Sequence, residues 1–294
     1  MKKKTLILST VLTVLFSACS SNNEEVINNQ PIKYSKMELA GVLHNSTMTS
    51  VFDKLNSQPN AIPTNDYDAK LGYVAKITKS SFDQICGREV QSNMDLKYKY
   101  FLDSDAFYSK LIAHKNFTRS EKDAETIIEK MVKANDSECL NLDSIPCIDE
   151  MIYALKEKNI ISNKAADILN NIQNAICRSS EGTMSDAEFQ RQIDENWKAL
   201  NAANFDENSI DGVGIAAVLY VTQSSFDWWK ENQTQLPIEG KVAHWVALDG
   251  AGAAAGLVLH CVKHWYDRLV WEDVAFDVAS GAIYTSLGGI VKVK

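Results

Sequence analysis

The stretch Val242-Ala-His-Trp-Val-Ala-Leu-Asp-Gly-Ala-Gly-Ala-Ala-Ala-Gly-Leu-Val-Leu-His-Cys-Val262 decides the fold. It carries one acid, Asp249, no Lys or Arg, and a run of Gly and Ala unmatched elsewhere in the chain. As an α-helix rising about 1.5 Å per residue it would be about 31 Å long, the thickness of a bilayer core. Its composition argues against lipid, because Gly and Ala contribute little transfer energy and Asp249 in a lipid-facing helix would cost about 2.5–3.5 kcal/mol. A helix apolar on all sides and buried in a bundle is the better reading.

Steps of three and four from Asp249 place Gly252, Gly256 and His260 on one stripe, and Gly252 and Gly256 stand in G-x-x-x-G spacing. Such a stripe lets a second backbone approach closely. Part of the pattern recurs in Ile210-Asp-Gly-Val-Gly-Ile-Ala-Ala217 and, more weakly, in Val274-Ala-Phe-Asp-Val-Ala-Ser-Gly281. The offsets between the aspartates, 38 and 28 residues, rule out a solenoid of fixed period. Three small-residue helices packed on one another are expected, each with an Asp near its tight turn.

The chain has 294 residues, 45% of them hydrophobic, enough for one large domain or two modest ones. Five prolines, and glycines concentrated after residue 210, fit an all-α multi-helix bundle with a Gly/Ala-rich, tightly packed C-terminal half. The net charge of −8, which the loss of Lys2, Lys3 and Lys4 would make more negative, disfavours nucleic acid and anionic lipid as partners.

Outward from the central stretch, helices are expected over Asp211 to Trp229, Val242 to Trp265 and Val270 to Leu287. Residues 32–200 read as an amphipathic helical region and 209–294 as the Gly/Ala-rich one, with the polar run Leu200 to Ser209 between them. They form two domains or one continuous domain. In the first region Thr118-Arg-Ser-Glu121 and Ser185-Asp-Ala-Glu188 have capping-box spacing. Further helices are expected from Thr118, Ile148, Asn163 and Ser185, and short runs at Lys36 to Leu43 and Ser80 to Val90.

The N-terminus has a basic segment, Lys2 to Lys4, an apolar segment, Leu6 to Phe16, and small residues before a cysteine in Phe16-Ser-Ala-Cys19. This pattern resembles the lipobox of bacterial lipoproteins, with Phe where Leu is commoner. The resemblance implies that residues 1–18 are a signal peptide cut before a diacylated Cys19, the lipid-attachment residue, and that the membrane is a partner through that anchor. Ser20, where Asp would resemble an inner-membrane retention signal, favours the outer membrane, facing the periplasm or the cell surface. Residues 19–31 read as a flexible tether. Acyl chains contribute about 0.8 kcal/mol per buried CH₂, enough for several of them to anchor the chain without a transmembrane helix.

Of the other cysteines, Cys86, Cys139, Cys147, Cys177 and Cys261, the pair Cys139 and Cys147 is the preferred disulfide in an oxidising compartment. His260-Cys-Val-Lys-His264 puts two imidazoles four apart on one helical face, the spacing of zinc peptidases, so His260 and His264 are candidate metal ligands. Cys261 holds the position of the general-base glutamate and no third ligand is apparent, so paired histidines near a helix C-terminus are the competing reading. Two segments, Gly212-x-Gly214-x-x-Ala217 and Gly250-x-Gly252-x-x-Ala255, match a dinucleotide fingerprint, and the second needs Val242 to Leu248 to be a strand. Too little chain follows Glu272 to complete a doubly wound sheet, and no cofactor is implied. The tryptophans at 228, 229, 245, 265 and 271 read as packing before they read as a ligand groove.

No motif names a reaction. The expectation is a lipid-anchored, helical envelope protein with a binding or structural role. Its competitors are a membrane-active protein whose Gly/Ala-rich helices insert, loosely resembling the helices of two-peptide bacteriocins, and a metal-dependent hydrolase built on His260 and His264.

Overall fold

A computed structural model describes residues 32–58, 67–87, 149–232, 242–264 and 269–293. The fold is an all-α bundle, with no strand among the described residues. A 3-10 segment, Ile32–Met37, leads into α1 (Glu38–Ser57), followed by α2 (Tyr67–Cys86), α3 (Asp149–Glu157), α4 (Asn163–Ser180), α5 (Asp186–Ala203), α6 (Ile210–Asn232), α7 (Val242–His264) and α8 (Trp271–Val293). The helix expected from Thr118 and both members of the Cys139/Cys147 pair lie outside the described residues.

The stretch read first is α7, and it is the central helix: every residue from Trp245 to Cys261 is buried. It packs on α8 most extensively, then on α6, α4 and α3, while α1 lies across α6, α2 and α8. A helix without a polar face needs neighbours on all sides, and this arrangement supplies them.

The Gly stripe faces α8. A methyl group on Gly252 would collide with Thr285 Oγ1 and the Gly281 carbonyl oxygen and lie 2.9 Å from Ala282 Cα. One on Gly256 would collide with the Asp277 carbonyl oxygen and lie 3.0 Å from Val278 Cα. From the other side, a methyl on Gly281 would meet the Gly252 carbonyl oxygen and Gly256 Cα. The two backbones therefore touch through a glycine on each, as the small-residue pattern of both segments anticipates. Gly214 of α6 receives the Leu257 side chain of α7, which brings the third small-residue helix into the same core.

Two of the three repeated aspartates are placed otherwise than expected. Asp211 is in the first turn of α6, where its carboxylate accepts from Ser162 N at 3.1 Å and ties the start of α6 to the start of α4. Asp249 and Asp277 are instead well inside α7 and α8, because they answer polar side chains on neighbouring helices and not a turn.

The polar run after Leu200 is a packed connection. Lys33 Nζ and Tyr34 Oη both donate to the Phe205 carbonyl, at 2.9 and 3.0 Å, and the Tyr34 ring covers Gly212. A single buried apolar cluster includes residues on both sides of that run, from Leu43 and Ile172 to Val258 and Ile283. Ser162 and Ser185 cap α4 and α5, accepting from Ala165 N and Glu188 N at 3.2 Å each. The Glu188 carboxylate accepts from Arg178 at 3.0 Å.

Two helices of the N-terminal half exceed their expected lengths, and α8 runs past the expected Leu287 to Val293. α1 continues from Leu43 to Ser57 through a segment rich in Asn, Ser and Thr, since Thr47, Met48, Val51, Phe52 and Leu55 are all buried there by tertiary packing. α2 begins at Tyr67, well before Ser80. Burial against neighbours overrode weak local signals in both.

Candidate functional site

Two polar clusters lie inside this apolar core, and each hangs on an aspartate. The first is built around Asp249, which is fully buried. Its Oδ2 accepts from Ser225 Oγ at 2.6 Å and Trp229 Nε1 at 2.7 Å, both on α6, and its Oδ1 accepts from Ser286 Oγ on α8. His44 of α1, equally buried, places Nε2 3.2 Å from Oδ1. Four helices thus meet at one carboxylate.

The proton inventory follows from Asn45. Its Nδ2 donates to the Ser224 carbonyl at 2.9 Å, which leaves its Oδ1 to accept from His44 Nδ1 at 2.8 Å. Nδ1 therefore carries a hydrogen, and a bare Nε2 would turn its lone pair on the Asp249 carboxylate. The stable arrangement is an imidazolium facing a carboxylate. Burial lowers the His44 pKa, but the Asp249 charge and hydrogen bonding to the Asp249 and Asn45 oxygens outweigh it, so the net shift from 6.5 is upward.

This cluster has the residue types of a hydrolytic triad without its order. Both serines bond the aspartate, neither bonds the histidine, and all the groups are sealed from solvent. It holds helices together. A histidine whose folded pKa is raised stabilises the fold fully below its unfolded pKa, and the contribution is lost as the pH rises through the folded value. The stability difference between wild type and His44→Gln is therefore expected to shrink as the pH is raised from about 6 to about 9. Chemical denaturation of both proteins across that range tests this, and a pH-independent difference would refute it.

The second cluster joins α7 to α8. His260 Nδ1 is 2.9 Å from Asp277 Oδ2, and the His260 and His264 rings stack with centroids 4.7 Å apart. His260 and Asp277 are buried and His264 is half-buried. The ligating atoms of the three all lie within 4.8 Å of one another. The third residue that could join the two histidines around a metal ion is thus Asp277, contributed by the weakest of the three repeated segments. Its signal in the sequence was the repeat itself, which puts an Asp in the last of the three small-residue segments.

Cys261 is no nucleophile. Its thiol is buried, and burial first, then the negative charges of Asp211 and Asp277, push its pKa far up. The dinucleotide reading is also overturned, because Val242 to Leu248 is the first part of α7 and Gly252 is filled by α8 instead of opening to a phosphate. Trp228, Trp229 and Trp245 form a buried chain with Phe52, with centroids 4.8 Å apart for Trp228 and Trp229 and 5.0 Å for Trp229 and Trp245. These three therefore pack the core and offer no open aromatic platform.

In comparisons with known proteins, no family model, no curated protein and no solved structure matches this chain.

Proposed function

We propose that the chain is a lipid-anchored protein of the cell envelope, held at the outer membrane by acyl chains on Cys19, whose helical domain has a binding or structural role. The observation that carries this reading is the N-terminal order of a basic segment, an apolar segment and Phe16-Ser-Ala-Cys19. The interior of the bundle weighs against the competing reading, in which the Gly/Ala-rich helices insert. Among the described residues no helix is long and apolar enough to cross a membrane. For α7 and α8 to insert in lipid, Asp249 would have to leave His44, Ser225 and Trp229, and its carboxylate would then face hydrocarbon.

Cys19→Ser is expected to abolish acylation and move the protein from the membrane to the soluble fraction, read by labelled fatty-acid incorporation and by fractionation after a high-salt wash. If the variant still pellets, the anchor is elsewhere and the reading fails. Leakage of dye from liposomes on addition of the unlipidated protein would instead favour membrane insertion by the Gly/Ala-rich helices.

A further inference from the structure

We propose that His260, His264 and Asp277 form a binding site for a divalent first-row transition metal, with zinc as its representative. This goes beyond anchoring and stands independently of it. Two imidazole nitrogens and one carboxylate oxygen make an N₂O set, and imidazole favours zinc, copper, nickel and iron over calcium and magnesium.

The geometry suits such an ion. Metal–ligand bonds of about 2.0 Å in a tetrahedral arrangement place ligand atoms about 3.3 Å apart. His260 Nδ1 and Asp277 Oδ2, at 2.9 Å, already have that spacing within a few tenths of an ångström, and all three ligand atoms fall inside 4.8 Å. Without metal, a proton bridges the His260 and Asp277 atoms that the ion would hold. His264 sits at the last residue of α7 and is half-buried, so its ring closes the remaining distance by rotation about its own side chain.

The scaffold fixes the other two ligands. Gly256 and Gly281 set the α7–α8 contact next to the cluster, and Gly256 lies directly against the Asp277 carbonyl. The pair therefore keeps its register without the ion. Three protein ligands leave a fourth position on the His264 side, the arrangement of a site that keeps water or a small ligand on its metal.

The test uses the purified chain carrying Cys19→Ser, titrated with Zn²⁺ alone and, separately, with Co²⁺ as a spectroscopic substitute. One equivalent of Zn²⁺ is expected to bind, and Co²⁺ is expected to give visible d–d bands without the near-ultraviolet charge-transfer band of a thiolate. His264→Ala, at a half-buried helix end, is expected to stay folded by circular dichroism and to weaken Zn²⁺ binding by more than about 100-fold. Asp277→Asn is expected to weaken it as well, and His264→Ala decides the matter if that variant does not fold. Absence of stoichiometric binding in the parent protein, a thiolate band showing cysteine ligation, or undiminished binding by His264→Ala would each overturn the site.

Discussion

Asp249→Ala is expected to lower the stability of the fold by about 3–5 kcal/mol, the typical cost of removing one member of a buried charge pair. The carboxylate is the shared acceptor for Ser225, Trp229 and Ser286 and the partner of the His44 imidazolium. With it gone, the buried imidazolium either stays unpaired or loses its proton, and three donors lose their acceptor in a space water does not reach. Each such group is left with an uncompensated desolvation cost of about 1–3 kcal/mol unless the helices separate to admit water. Equilibrium denaturation in urea measures the effect. A loss under about 1 kcal/mol would mean that the cluster does not bear on stability, whereas a double change of Asp249 and His44 is expected to cost less than the sum of the single ones.

Gly252→Leu is expected to destabilise by at least the about 1–3 kcal/mol typical of overpacking, and Gly256→Leu likewise. In both cases the first added carbon already meets backbone atoms of α8, which cannot rotate aside as a side chain can. The helices would have to move apart, and the Asp277–His260 and Asp249–Ser286 contacts flank that interface. Gly72 provides the opposite sign within the same molecule. It lies exposed in the middle of α2 with nothing within 4 Å of an added methyl group, so Gly72→Ala is expected to stabilise by about 0.5–1 kcal/mol through helix propensity alone. Thermal melts of the three variants decide, and a midpoint for Gly252→Leu at or above wild type would mean that the stripe is not a packing contact.

The histidines divide along the same physical line. His260 and His264 were visible as a pair because a helix repeats every 3.6 residues and four-residue spacing puts them on one face. His44 gave no such sign. It sits in a segment of α1 with weak amphipathicity, and its role comes from Asp249, far away in sequence and adjacent in space.

What the sequence by itself determined is therefore local and periodic: the all-α class, the start of α4 near Asn163 and of α5 at Ser185, the identity of α7 as the central helix and the glycine stripe along it. Each follows from spacing along one chain segment, where capping, turn geometry and small-residue contact act over a few residues. Only the tertiary structure decided which face met which, namely that Gly252 and Gly256 lie on Gly281, that Asp249 collects donors from three other helices, and that Asp277 completes the set begun by His260 and His264. Polar groups buried in an apolar core are free to choose any partner the fold brings within about 3 Å, and that choice depends on how the helices cross.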